Sequence, residues 1–428
     1  MAKSKWKDPL AAKELIQRLS ELKFNVGDSH GLVRMQQNFN SAFNNTNFDL
    51  YELLLKEQYR FSEDIPEFKR DIFVSEAIFQ AADKDMLNAG YVAEQIRKQQ
   101  EKYLLQPVQS YTLITKISLA GIKSKVKVKT PRSSIVISKY FPNIFKNHYD
   151  FDFINKSCVD LNELNYSWVT VTVSSRCENS AVSKSLSELS FYLGVINLFY
   201  NYGHDRKSYG MRFEPVNKLR RFKYHMIHFS SGEQASNLCW YESNFADYAK
   251  SLHYERDNFQ DANRKYRKLL KSIESINRYS YFRTVFNRYV EALESTDMNK
   301  SFRSLWSLLE TLTFTQKDNY NVTIHRTVAL FKDRFLMKQK LELLRERRNM
   351  AIHSQTDFSD AEQITYMLMR IINAYIFAII NVMKVASSEN QIKAVLDLPY
   401  DTQKLNDLES TTQSSLENIT IFKKLIGD

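Results

Sequence analysis

The spacing of apolar residues changes character twice along the chain. Up to about residue 105 it is helical. Residues 11–22 and 51–55 carry apolar positions at helical spacing, and residues 77–103 form a run rich in Ala, Glu, Gln and Lys. An Asn-rich polar connector, residues 38–47, lies between them. After Gln106-Pro107 the period falls to two. Residues 111–119 and 121–129 alternate, and residues 133–138 and 168–174 are β-branched runs, the last containing Val169, Thr170, Val171, Thr172 and Val173. These read as strands, with Ala120-Gly121 as the turn of a hairpin and residues 183–199 as a helix among them.

From about residue 243 the pattern is helical again. Residues 262–276 form a basic amphipathic segment, followed by 281–293, 301–312, 324–335, 338–353 and 360–385. Short polar breaks at 295–297, 317–319 and 356–359 separate them. Ser359 is the expected N-cap of the last segment, with Glu362 completing a capping box. The expected fold is α+β, an N-terminal mixed α/β or β-rich region followed by a C-terminal all-α bundle. The expected division is a helical region (1–105), a mixed α/β sensing or regulatory domain (106–240), a basic connecting helix (241–276), an antiparallel bundle (277–395) and a tail (396–428) with one short helix at 416–426. No internal repeat is visible.

Composition narrows the function classes. With 428 residues and 43% hydrophobic content, the chain can bury a large core without disulfides. Cys158, Cys177 and Cys239 are far apart with no CxxC pair, which favours a reducing compartment and disfavours a zinc ribbon. Cys239 is expected to be a small buried hydrophobe. The basic start, Met1 to Lys7, leads into no apolar segment, so no secretory signal is expected. Residues 366–383 approach one membrane thickness but contain Arg370, Asn373 and Asn381. A buried bundle or dimer helix is the expectation, not a membrane span. The expected location is cytoplasmic. Net charge of +11 permits an anionic partner, of which nucleic acid is the usual one. The 9 glycines form neither GxxxxGK[ST] nor GxGxxG, which argues against a P-loop ATPase or a Rossmann enzyme. No cofactor is expected.

One run carries chemistry: Arg348-Asn349-Met350-Ala351-Ile352-His353. On a helix Asn349 and His353 share a face, whereas Arg348 points about 140° away from His353. Histidine is the natural acid or base near neutral pH, and arginine clamps phosphate oxygens. In its helical context the run resembles the R-N-x-x-x-H motif of HEPN ribonucleases. Leu305 to Glu310 resembles the Apea-like HEPN branch, which tends to carry an acidic residue where Glu310 stands. The resemblance covers roughly residues 277–390.

That resemblance implies a metal-independent endoribonuclease acting on cellular RNA, tRNA among the candidates, in an antiphage, abortive-infection or toxin-like system. Attack by the ribose 2′-OH would leave a 2′,3′-cyclic phosphate and a 5′-hydroxyl. Arg348 and His353 would be catalytic. Asn349 would orient His353 or a phosphate oxygen, and Glu310 would fix the imidazole tautomer or hold Arg348. The site would be composite, shared by a homodimer joined through the bundle. The N-terminal region would sense a phage-derived trigger or regulatory protein. Gln355 stands where toxins paired with a nucleotidyltransferase usually carry Tyr, which argues against that form of control. The alternative is a non-catalytic HEPN scaffold that binds RNA or a partner protein. A metal-dependent DNase is disfavoured, because no PD-(D/E)xK-like or HNH-like run is visible.

Other basic segments have two readings each. Lys123, Lys125, Lys127 and Lys129 alternate along a predicted strand, with Ile122, Val126 and Val128 facing the other way. They suit a phosphate backbone or a solvated edge strand. Lys218 to Tyr224 mixes basic and aromatic residues as single-strand binders do, or is an amphipathic element burying Leu219 and Phe222. Arg264, Lys265, Arg267 and Lys268 lead into the bundle and, with Arg345 and Arg347 beside the motif, are the candidate RNA-binding cations. His225 and His228 form an HxxH with no third ligand nearby, so no metal site is expected.

Overall fold

The computed structural model describes residues 6–21, 46–148, 166–201, 214–242, 245, 251–316, 319–353, 358–386 and 388–426. Cys158, Gln355 and the polar connector up to Asn45 lie outside them. Among the described residues, the β-branched runs build a six-stranded sheet from β1 (Gln109–Ile117), β3 (Val126–Lys129), β4 (Ser134–Ser138), β5 (Ser167–Ser175), β6 (Tyr224–Phe229) and β7 (Trp240–Tyr241). The spatial order is β3-β4-β5-β1-β6-β7. Two shorter strands, β2 (Leu119–Ala120) and β8 (Leu252–His253), pair in parallel. Strand β5 buries every second side chain, Val169, Val171 and Val173 among them, which is the period its sequence shows.

The chain divides into two units. The first runs to Gln109 and includes Ser175–Ser180. It holds helices α1 (Pro9–Glu21), α2 (Thr46–Gln58), α3 (Glu67–Asp83) and α4 (Ala89–Leu104), closed on a core of Trp6, Ile16, Tyr59, Ile78 and Ile96.

The second unit contains the sheet and most of α5 (Glu178–Asn201), then α6 (Phe259–Ser275), α7 (Tyr279–Glu294), α8 (Met298–Leu312), α9 (Tyr320–Ala329), α10 (Arg334–His353), α11 (Ala361–Val385), α12 (Glu389–Leu396) and α13 (Thr402–Ile426). One apolar core runs through it, from Val171 on β5 through Leu189 and Phe286 to Trp306 and Ile372. Described residues of the segments 106–240, 241–276 and 277–395 therefore share a single core. Helix α11 is long and apolar enough to cross a bilayer, but 14 of its 25 residues are buried and it is the central helix of the bundle, against α8.

Helix α5 joins sheet to bundle. Glu188, 1% exposed, accepts hydrogen bonds from Thr130 beyond β3 and from Tyr279 and Arg283 of α7. A carboxylate this buried is tolerable only because its lone pairs are filled. Six residues on, Gly194 lets α5 approach α7 closely. A Cβ there would lie 2.8 Å from the Phe286 carbonyl oxygen and 2.9 Å from the Phe286 Cβ.

Several expectations need correction. Ala120-Gly121 is not a hairpin turn. Gly121 adopts φ 75°, Leu119 and Ala120 pair with β8, and a side chain at 121 would overlap the His253 imidazole. The lysine-rich strand is shorter than its alternation suggests. Only Lys127 and Lys129 lie on β3, while Lys123 precedes it and pairs with Glu255 at 2.6 Å. The 77–103 run is two helices, broken where Asp85 turns left-handed (φ 56°) and Asn88 caps α4. Asp360, not Ser359, is the N-cap of α11, without a side-chain cap bond. Cys239 is exposed, because it lies between β6 and β7 and not inside a strand. The tail helix is not short, since α13 spans 25 residues.

Gly194→Ala provides a test of the α5–α7 contact. Alanine is the better helix former by about 1 kcal/mol. The variant should nevertheless be less stable, by about 1–3 kcal/mol, because backbone atoms cannot yield cheaply. A denaturant melt in which it gains stability would contradict the contact.

Candidate active site

The motif occupies the last turn and a half of α10, where unpaired carbonyls favour positive charge. Arg348 is half-buried. Its guanidinium lies over the ring of Tyr320, the first residue of α9, 4.4 Å from the centroid. Among the described residues no carboxylate comes within ion-pair distance of it. Tyr320 meets Trp306 of α8 edge-on at 6.4 Å, and the Trp306 indole Nε1–H donates to Glu310 Oε1 at 2.8 Å. Burial raises the Glu310 carboxyl above its ordinary range, and the Trp306 hydrogen bond and the Arg348 charge pull it partly back. Arg348 and Glu310 thus act on each other electrostatically without forming a salt bridge.

Asn349 Oδ1 is sealed from solvent and has no hydrogen-bond partner among the described residues. His353 is the last helical residue, and its imidazole lies outside the described side chains. Of the four motif-associated residues, Arg348 and Glu310 are brought together, and Asn349 sits on the same turn as Arg348.

The candidate RNA-binding cations divide. Arg345 donates to Asn321 Oδ1 at 2.8 Å and pairs with Glu342. Arg347 pairs with Asp360 at 2.9 Å and stacks on Phe358 at 5.4 Å, tying the start of α11 to α10. On α6, Arg264 and Lys265 both pair with Asp261, while Arg267 and Lys268 are exposed. No hydrogen bond, ion pair or ring contact between described residues links the α6 cations to Arg348.

Two features escape sequence reading. One is Trp306, which orients Glu310; the i, i+4 spacing of the two on α8 was the available signal. The other is a cavity of about 870 Å³ in the second unit, lined by Arg220, Arg221, Glu242, Asn287 and Glu294. Arg220 and Arg221 come from the 218–224 segment, whose Leu219 and Phe222 are buried, and Arg288 of α7 also lines the cavity. The Arg220 guanidinium lies 4.8 Å from the Phe245 ring, and Arg221 pairs with Glu242 at 2.8 Å. Burial depresses the His225 imidazole below its usual range, and its ring nitrogens meet Thr115 and Glu242. His228, buried, meets the Phe145 ring at 4.8 Å with the two planes tilted by 52°. Three residues apart on a strand, the two imidazoles face opposite sides of the sheet.

No family model, curated protein or solved structure matches this chain. Any reading of the site therefore stands on its own residues.

Glu310 makes a checkable statement. Its folded-state pKa is raised, so its contribution to stability is full below the unfolded value and is lost as pH rises through the folded one. Gln at 310 can keep the bond from Trp306 and never ionises. Thermal melts should show Glu310→Gln gaining on the parent between acidic and mildly alkaline pH. A variant that loses ground over that range would contradict the assignment.

Proposed function

We propose that the chain is a HEPN-type, metal-independent endoribonuclease. The observation that carries this reading is an arginine of the R-N-x-x-x-H run held over the Tyr320 ring, near half-buried Glu310, with no carboxylate within ion-pair distance among the described residues. A guanidinium fixed by stacking keeps its N–H fork available for phosphate oxygens. In the proposed reaction His353 accepts the 2′-OH proton as the 2′-oxygen attacks phosphorus. Arg348 stabilises the charge that develops on the phosphorane oxygens. The P–O5′ bond breaks, the 5′-oxygen takes a proton from a second acid, and the ends are a 2′,3′-cyclic phosphate and a 5′-hydroxyl. Glu310 and Trp306 position Arg348 through its electrostatics.

The divergence of positions 348 and 353 favours a site completed by a second copy, with the acid supplied by the partner's motif. Along α10, exposed Leu336, Leu343 and Met350 recur every seven residues, a row suited to a helix–helix contact beside the motif. In this reading the protein is a cytoplasmic homodimer joined through its bundle. It serves an antiphage or toxin-like system, and the sheet and N-terminal helices restrain the nuclease until a trigger is sensed. The competing reading is a non-catalytic scaffold that binds RNA or a partner protein.

Overexpression separates the two. Growth arrest is expected from the parent, with RNA ends appearing on induction, and it should disappear in Arg348→Ala and in His353→Ala. Equal toxicity of parent and variants, or none at any induction level, supports the scaffold.

A further inference from the structure

We infer that the outward face of α6 is a docking stripe for the phosphate backbone of RNA. The helix buries one face and charges the other. Phe259, Tyr266, Leu269, Leu270 and Ile273 are buried in the core of the second unit. On the opposite side Arg264, Arg267, Lys268 and Lys271 are all exposed. At about 100° per residue these four fall within an arc of roughly 100°, and they span about 10 Å of helix.

The charges of α6 do not cancel. With Lys265, the helix carries five cations against two acids, Asp261 and Glu274, which stand on opposite flanks of the stripe. Asp261 pairs with Arg264 and, at 2.9 Å, with Lys265. Glu274, three residues after Lys271, offsets at most one more. Just before the helix, Glu255 pairs with Lys123 and Asp257 with Arg256. On α5, Glu188 is buried and spent on Thr130, Tyr279 and Arg283. Arg267, Lys268 and Lys271 make no ion pair among the described residues. The stripe also repels itself: Arg264 and Lys268 are four apart, as are Arg267 and Lys271, a like-charge spacing that weakens a helix. A solvated face relieves this by interleaving acids. A face of one sign instead concentrates the field that attracts an anion.

The same helix selects a nucleic-acid backbone over a membrane surface. A helix that lies in a bilayer interface needs a free apolar face, and the apolar face of α6 is spent on the core. Its two aromatic residues, Phe259 and Tyr266, are buried, so bases have no ring to stack on. What remains is contact from Lys and Arg to phosphate, which positions a strand without reading its sequence. The helix also leads toward the candidate site. Residues 276–278 connect it to α7, whose Tyr281 hydroxyl donates to the Thr311 carbonyl at 3.2 Å, next to Glu310. Arg348 would take the cleaved phosphate and α6 the backbone beyond it. The choice of RNA rests on the nuclease reading, but the test of the stripe requires no cleavage.

The test is binding of a fluorescently labelled single-stranded RNA of mixed sequence, read by anisotropy across a salt series. The full-length chain carries His353→Ala so that the RNA stays whole. Adding Arg267→Gln, Lys268→Gln and Lys271→Gln should lower affinity about tenfold or more at physiological salt. It should also flatten the plot of log Kd against log salt by about 2, three phosphate contacts at about 0.7 each. The same variant should melt no lower than its parent, because the charges removed repel one another. Lys404→Gln, Lys423→Gln and Lys424→Gln take as much charge from exposed positions on α13 and should leave the slope unchanged. Equal losses in the two triple variants would show that overall charge, not α6, attracts RNA, and would overturn the proposal. So would an α6 variant that binds RNA as its parent does, or α6-dependent binding to anionic phospholipid vesicles in a chain that binds no RNA. Binding through α6 by a protein that cleaves no RNA with His353 intact would keep the stripe and sink the nuclease.

Discussion

The buried guanidinium of Arg326 holds the candidate site in shape. It is 5% exposed and spends its donors in two directions. Nε and Nη2 clamp Asp397 at 2.6 and 2.7 Å, and Nη1 takes the carbonyls of Thr313 and Phe314 at 2.9 and 3.1 Å. Those carbonyls are the loose end of α8, left without intrahelical partners where Phe314 turns left-handed at φ 58°. One side chain thus ends α8 just beyond Glu310, fixes α9 with Tyr320 at its head, and anchors the segment that leads into α13. The Asp397 carboxyl is held below its usual range by the hydrogen bonds from Arg326. The clamp therefore keeps its full charge down to pH values well under neutrality. Glu188 plays a matching part at the start of α7, so the sheet, α5 and the bundle form one packed body within the second unit.

This framework explains why the site combines order with exposure. Trp306 and Tyr320 are fixed by the core, and they in turn fix Glu310 and Arg348. Arg345 and Arg347 serve the framework by holding Asn321 and Asp360. Arg348 alone of the three is left without a carboxylate among the described residues. The same helix holds one cation paired with a carboxylate, Arg347, and one held over an aromatic ring, Arg348, and neighbouring residues decide which is which. Glu310 carries a stability cost, since burial opposes its ionised form, and such costs tend to persist where a charge is used.

Much of the fold was legible in the sequence because its periodicities are strong. The alternation of Val169, Val171 and Val173 and the apolar length of α11 translate directly into β5 and the bundle's central helix. What was not legible depended on long-range partners. Gly121 reads as a hairpin turn locally, yet β8, more than a hundred residues on, sets its role. The basic run at 218–224 reads either as a single-strand binder or as an amphipathic element burying Leu219 and Phe222; those two are buried, and Glu242 and Phe245 hold its arginines in a cavity wall. At the site, the motif was visible as a string, and Glu310 through its resemblance to a family pattern. Trp306 and Tyr320, which give Arg348 its setting, carry no sequence signal beyond helical spacing. The tail reads as a helix only over 416–426, because the Ser and Thr residues before it favour loop, yet α13 is continuous from Thr402.

The central claim is that Arg348 and His353 cleave RNA without a metal ion. Purified full-length protein incubated with total RNA in excess chelator tests it most directly, with Arg348→Ala and His353→Ala proteins alongside. The account predicts cleavage by the parent alone, with 2′,3′-cyclic phosphate and 5′-hydroxyl ends. Cleavage that appears only when magnesium or manganese is added, or that persists in both variants, would contradict it.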